Sequence, residues 1–380
     1  MPDRWPPHGG PDAAQASKQA DAPARSGAPN QEEMRVRRLL FTTMGGLAMV
    51  LALGIGGIPQ AQAQAQELRW ATSAVGSAGH RAKVALMAML NREMPDYSIT
   101  VLPTPGALAT VRGYAVGQFD GYYGADIAFG ELAANEGRFR GFRDQVQREP
   151  VQSFWAYTME VGLGVRTADR DRFGGWGDLE DRPVFTGPAP WDVRATLERA
   201  MNALDVGHRY VEVDLGLVAS SLSGGTIDAF VIYSTGEASP APWVIEALLS
   251  TDVAALNPSA DEIARLEAAG LEVVRVDAEA FQADLGVDEV VLAPFFYGFH
   301  VGLEVPEDDV YRMLTVIEAH ADELARSDAA FRQIRDDMVE IQRRGVAASV
   351  DSVRVHPGLA RYLREHDAWK EDWDDRIAGS

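Results

Sequence analysis

The chain has 380 residues, with 35 Lys+Arg against 56 Asp+Glu, a formal charge of −21 and no cysteine. A phosphate backbone is bound by clustered Lys and Arg, so this balance excludes nucleic acid as a partner. The missing thiols exclude disulfides, thiolate zinc sites, iron–sulfur clusters, a cysteine nucleophile and a lipidated cysteine anchor.

Residues 1–33 are rich in Pro, Gly, Ala, Gln and Asp and poor in large aliphatics, so they cannot bury enough surface to offset the entropy of ordering and are expected to be disordered. Met34 is then a plausible start. Basic Arg35, Arg37 and Arg38, an apolar run over 39–58 and the small residues Ala61-Gln62-Ala63 follow in the order of a secretory signal. An uncleaved membrane anchor over the same stretch is the competing reading, since about 20 apolar residues span a bilayer. Residues 34–63 are therefore a signal peptide or an anchor, and the bulk of the chain is exported, which makes it periplasmic. Residues 1–63 hold six basic and five acidic side chains, so 29 basic against 51 acidic remain in the exported part.

Beyond Glu67 the pattern repeats as strand, loop, helix. A strand over 68–72 leads through the small-residue loop Ser73 to Gly79 into an amphipathic helix that runs to Leu90, with Val84, Met87 and either Met89 or Leu90 inward. A strand over 99–102 is followed by a Pro-Gly turn and a helix ending near Gly117. The unit repeats with a strand over 182–186, the loop Gly187-Pro188-Ala189-Pro190 and a helix over 191–204. Further strands are expected over 211–213, 227–233, 271–276 and 301–305. Pro306 opens a long helix with acidic Glu307, Asp308 and Asp309 in its first turn. The remaining C-terminal part reads as helical, with breaks at Gly345 and at His356-Pro357-Gly358. Such alternation predicts an α/β architecture with largely parallel sheets.

No His-Glu-x-x-His, Gly-x-Ser-x-Gly, Ser-x-x-Lys or phosphate-loop motif is present, and the seven histidines never fall at metal-ligand spacing. No catalytic residue, metal site or cofactor is therefore assigned. What remains is a set of glycine-bearing loops, at Ser73 to Gly79, Thr104 to Gly106 and Gly187 to Pro190. Each is a place where a helix N-terminus could present free N–H groups to an anion, or merely a tight connection.

The order of these segments resembles the TAXI-type solute receptors of tripartite ATP-independent periplasmic (TRAP) transporters, from about Leu68 to Trp369. The resemblance is carried by Trp70-Ala71-Thr72-Ser73-Ala74-Val75-Gly76, by Pro105-Gly106-Ala107, and by Gly117-Gln118-Phe119-Asp120 with Ala125-Asp126-Ile127-Ala128. It continues through Gly225-Thr226-Ile227-Asp228-Ala229-Phe230, Val305-Pro306-Glu307-Asp308 and His356-Pro357-Gly358. It implies a two-lobed, periplasmic binding protein-like α/β fold of the type II kind, each lobe a mostly parallel sheet flanked by helices, with a cleft between. Lobe 1 would comprise 66–157 and 292–380 and lobe 2 158–291, with crossings near 156–164 and 290–301. It also implies a non-enzymatic, monomeric receptor that captures a small organic anion such as glutamate or a 2-oxo acid for membrane permease subunits. A ligand-sensing periplasmic module that signals to a membrane receptor is the alternative.

Departures from the family pattern fall on the candidate ligand-binding residues, Ser77, Gly79, His80, Arg81, Gly106, Tyr123, Asp126, Gly187, Trp191 and Tyr233. The first loop carries Ser77-Ala78-Gly79-His80-Arg81 where the family has tyrosines, which suggests a bulkier or less polar ligand. His80 either hydrogen-bonds a carboxylate or is a solvated first-turn residue. Arg81 either pairs with a carboxylate or lies on the surface. Trp191 stacks on a ligand or staples its helix. Tyr122, Tyr123 and Tyr233 orient a ligand or pack on the sheet, and Asp126 and Asp228 brace loops more readily than they meet an anion. Phe295-Phe296 reads as hinge packing.

Overall fold

The computed structural model describes residues 65–379, so the expectations for 1–63 lie outside the described residues. The chain alternates strand and helix from the start: β1 (Gln66–Thr72), α1 (Ala78–Glu93), β2 (Tyr97–Pro103), α2 (Ala107–Ala115), β3 (Gly121–Ala125) and α3 (Asp126–Ala134). Then come β4 (Trp155–Arg166), β5 (Pro183–Phe185), α4 (Asp192–Ala203), β6 (Arg209–Tyr210), α5 (Val218–Ser223), β7 (Ala229–Thr235) and β8 (Ser239–Pro240). The next elements are α6 (Pro242–Ser250), β9 (Val253–Leu256), α7 (Ala260–Ala268), β10 (Val274–Asp277) and β11 (Glu289–Val301). Four helices close the chain: α8 (Glu307–Ala319), α9 (Ala321–Ser327), α10 (Arg332–Ser349) and α11 (Pro357–Glu365).

The strands hydrogen-bond in the order β2-β1-β3-β11-β4-β7-β5-β6. Two strands, β4 and β11, are much longer than the others and are buried on both faces along almost their whole length. One half of each belongs to a lobe built on β2-β1-β3, the other half to a lobe built on β7-β5-β6, with β9 and β10 pairing onto them there. The architecture is therefore two-lobed α/β. The sheets are mixed rather than largely parallel: β1 pairs parallel with β2 and β3, and β5 with β6 and β7, but the crossing strands enter antiparallel to all their neighbours. Paired parallel strands need a crossover connection such as a helix, but a helix between two strands does not fix their direction: β8 and β9, joined by α6, run antiparallel, so sequence alternation does not reveal how the crossings run.

Local chemistry explains the helix starts. Ser77 caps α1 by accepting from the His80 amide at 3.2 Å. Ser259 and Glu262 form a reciprocal capping box on α7. His356 caps α11 ahead of Pro357, and α8 opens with the three expected acids.

Several expectations need correction. Residues 211–213 follow the two-residue β6 and are not strand, and 302–305 form a turn after β11 rather than a strand. The strand expected over 271–276 is β10 at Val274–Asp277, and that over 227–233 is β7 at Ala229–Thr235. Val84 is exposed, because α1 turns Lys83, Leu86 and Met87 inward instead. Gly345 does not break α10; the non-helical residue there is Asp337. Gly345 is small for packing, since a Cβ on it would lie 2.2 Å from Cγ of the buried Trp155.

Candidate functional site

The loops after β1 and β5 open on the seam between the lobes, where α1 and α4 begin. Among them lies a cavity of about 30 Å³, walled by Ser73, Ser77 and Gly79 from the first loop and helix, Tyr123 from β3, and Trp191, Asp192 and Val193 at the start of α4. Met159 of β4, Tyr233 of β7, and Phe295 and Tyr297 of β11 complete it. The crossing strands thus form its floor and the two lobes its sides.

The floor is aromatic. Tyr297 and Tyr157 face each other in register across β11 and β4, their rings 5.3 Å apart and nearly parallel, and Tyr123 stacks on the other side of Tyr297 at 4.9 Å. The Tyr297 hydroxyl reaches Gly79, where a Cβ would lie only 2.3 Å from it, so glycine at 79 is required by this approach. Ser73 and Ser77 share a hydroxyl–hydroxyl contact at 2.6 Å on the cavity wall. The Tyr157 hydroxyl is buried without a hydrogen-bond partner among the described residues. Burial pushes the Tyr123, Tyr157, Tyr233 and Tyr297 phenols above their usual range, so all four stay protonated donors.

Three polar contacts join the lobes around this cavity. The Trp191 indole N–H donates to the Pro105 carbonyl at 3.1 Å. Arg138, in the short turn after α3, lies 2.8 Å from the Asp192 carboxylate at the start of α4. Arg81 donates to Asp328 at 2.7 Å and to the Ser239 hydroxyl of β8 at 3.2 Å. Outside the Arg138–Asp192 pair, a groove of about 510 Å³ runs between α3 and α4 and is lined by Glu136, Arg138, Arg194, Arg199 and Asn202 among others.

Of the residues singled out from sequence, Ser77, Gly79, Tyr123, Trp191 and Tyr233 line the cavity. The others stand apart from it. Arg81 is committed to Asp328, whose side chain is 1% exposed, so it is not available to a ligand here. His80 lies outside the lining, with Nδ1 buried and unpartnered and its pKa lowered by burial. Gly106 touches Trp191 and the Pro190 carbonyl, at 3.0 and 3.1 Å from a Cβ placed there, and so serves the lobe contact. Asp126 accepts from the Phe296 amide at 3.1 Å and braces β11; burial pushes its pKa up to about 6. Gly187 has φ +111, a left-handed conformation that favours glycine, and its carbonyl accepts from Tyr210.

Sequence reasoning missed Ser73, Met159, Asp192, Phe295 and Tyr297 in the wall and Arg138 beside it. Phe295, read as hinge packing, is a cavity residue, while Phe296 packs edge-on to Trp155. Strand alternation was the available signal: once β11 crosses the cleft, residues 295 and 297 share one face.

A further cavity, of about 690 Å³, is lined by Tyr114, Leu132, Pro150, Leu303 and Val353 among others and shares no residue with the first. Its arginines are already engaged: Arg143 with Glu149, Arg148 with Glu304, Arg354 and Arg376 with backbone carbonyls. Among the described residues no group of His, Asp and Glu could hold a metal ion, and no helix is long and apolar enough to cross a membrane.

No family model matches the chain, and no curated protein matches it. Among solved structures it is similar to MatC of Rhodopseudomonas palustris with bound malate, at 15% identity over 82% of this chain and 98% of that one, TM-score 0.44. It is also similar to a putative L-cystine ABC transporter protein of Listeria monocytogenes, at 10% identity over 70% and 95%, TM-score 0.42. A third is the periplasmic aliphatic sulphonate binding protein SsuA of Escherichia coli, at 13% identity over 80% and 91%, TM-score 0.40.

Proposed function

We propose that the protein is an exported, non-enzymatic solute-binding protein that closes its two lobes over one small organic anion and delivers it to a membrane permease. The observation that carries this reading is the cavity at the lobe seam. Its walls come from both lobes, its floor from the two crossing strands, and the contacts that seal it are few and can be broken by rotating one lobe against the other. At about 30 Å³ it has the volume of roughly one water molecule, so a ligand enters only when the lobes part. Lobe 1 would comprise 66–157 and 292–380, lobe 2 158–291, and bending would fall in β4 and β11.

The finer reading is a TAXI-type receptor of a TRAP transporter, periplasmic, monomeric, and exported by the segment at 34–63. It rests on the order of segments from Leu68 to Trp369 and on the absence of any catalytic motif in the sequence. Calorimetry of the purified full chain against amino acids, 2-oxo acids and other carboxylates tests it, with Trp191→Ala alongside. One-to-one binding that weakens in Trp191→Ala supports the reading. A panel in which nothing binds, or a bound compound that is chemically turned over, refutes it.

A further inference from the structure

The cross-lobe ion pair is badly made for a structural one. Arg138 is held in place from its own lobe, its Nε donating to Glu131 at 2.7 Å. Of its terminal nitrogens, Nη1 lies 2.8 Å from Asp192 and Nη2 lies 2.7 Å from Glu131. Yet both Asp192 oxygens and both Arg138 terminal nitrogens are buried and none has a partner in hydrogen-bonding geometry. A guanidinium and a carboxylate that meet by design form two parallel hydrogen bonds. A desolvated pair off that axis keeps the cost of burial without the full return.

The position of the pair matters as much as its alignment. Asp192 is in the cavity wall, whereas Arg138 lines the outer groove, so the pair stands between the two spaces. Both charges act on the phenol of Tyr123 inside. Arg81, also near the seam, is taken by a fully buried Asp328, and Arg194 in the outer groove pairs with Glu198. The rest of the wall offers aromatic and apolar surface, with Ser73 and Ser77 as the small hydroxyls.

We infer that Arg138 is the anion-recognising residue of the cleft, that Asp192 occupies its place when no ligand is bound, and that the ligand is a carboxylate with a single charge and an apolar or aromatic body. The inference rests on the reading of the seam as a ligand site. When the lobes part, Asp192 leaves with α4 and exposes the guanidinium. A ligand carboxylate then takes the aligned hydrogen bond from Nη1 that Asp192 does not make, while its body lies against Tyr123, Tyr297 and Phe295. A second ligand charge would find no free cation in the wall.

Calorimetry of the full-length protein with phenylacetate, phenylacetamide and L-glutamate as probes tests this. Phenylacetate should bind at least roughly tenfold more tightly than phenylacetamide and than glutamate, the scale of one charge-assisted hydrogen bond. Arg138→Gln should remove that preference. Because Arg138→Gln leaves Asp192 uncompensated, the double variant Arg138→Gln/Asp192→Asn is measured beside it, with circular dichroism to verify its fold; it should bind the acid and the amide alike. Asp192→Asn alone should bind phenylacetate more tightly than wild type, since the competing carboxylate is gone. Equal binding of acid and amide by wild type, an unchanged acid preference in the double variant, or no gain in Asp192→Asn overturns the inference and leaves the receptor reading standing. Glutamate binding without phenylacetate binding does the same. Failure of these probes and of the wider panel together overturns both.

Discussion

Lys83 is the one lysine among the described helices that is wholly buried, on α1 against β1. Its ammonium donates to the Ala71 carbonyl at 2.8 Å and lies 4.7 Å from the ring centres of both Trp70 and Phe299. Burial holds its pKa well below the usual lysine range. The folded chain therefore binds this proton less well than the unfolded chain, and stability from this group is full above the unfolded lysine value and falls as pH drops from there. Lys83→Met should remove that slope and leave the protein at pH 7 between unchanged and about 2 kcal/mol more stable. Urea unfolding at pH 7 and 9.5 checks this; a loss above about 2 kcal/mol would mean that the carbonyl and ring contacts outweigh desolvation. Glu160 in β4 is the opposite case. It accepts from Thr158 and Ser234 at 2.5 Å each and from the Glu237 amide at 3.1 Å, yet burial pushes its pKa up to about 7. A raised carboxyl pKa stabilises the fold below the unfolded value and loses that contribution as pH rises through about 7. Wild type should lose on the order of 2 kcal/mol between pH 5 and 8 through this group, and Glu160→Gln should lose correspondingly less. Neither environment was legible in the sequence. Lys83 follows His80 and Arg81 in a stretch that reads as polar, and only the tertiary position of α1 on β1 turns it inward.

At the scale of elements, the repeated strand-loop-helix units were legible because turn chemistry and periodicity agree there. Pro306 ahead of α8 marks a start that the structure keeps, and the break expected at His356-Pro357-Gly358 is where α11 begins. The resemblance placed crossings near 156–164 and 290–301, and β4 and β11 occupy those stretches. Their direction and partners were not legible, because those depend on contacts far apart in sequence. Breaks were the weakest reading: Gly345 is a packing glycine in mid-helix, and helix propensity alone would favour alanine there by about 1 kcal/mol. The contact with Trp155 decides the other way, and Gly345→Ala should cost about 2–3 kcal/mol in chemical denaturation. The Trp191 contact belongs to this scale too, since it ties α4 to the loop before α2. Trp191→Phe keeps a ring in the cavity wall and deletes only the bond to the Pro105 carbonyl, worth about 1 kcal/mol. The fold should be unchanged while the open form becomes roughly five times more populated, visible as a larger radius of gyration in small-angle scattering. An unaltered scattering profile would show that this bond does not hold the lobes.

Across the whole molecule, the formal charge of −21 sets a far field that opposes any anionic ligand. On the proposed reading the resolution is local: within the seam an anion would meet Arg138 and a wall of protonated phenols, while many carboxylates pair with arginine along the outer helices. Association of an acidic ligand should therefore speed up as salt screens the surface, the reverse of ordinary steering, and stopped-flow rates at low and high ionic strength test this. The lobed architecture was legible from the order of segments; the collapsed cavity was not, since it follows from how the lobes meet and not from any one motif. The claim on which the rest depends is that these lobes open and close on a small molecule. The chain has no cysteine, so Glu136→Cys on lobe 1 and Asn202→Cys on lobe 2, which face each other across the outer groove, can be spin-labelled without background. Their distance distribution, measured by pulsed electron paramagnetic resonance with and without a panel of amino acids and carboxylates, should shift when one panel member is added. A distribution that no panel member changes would contradict the account.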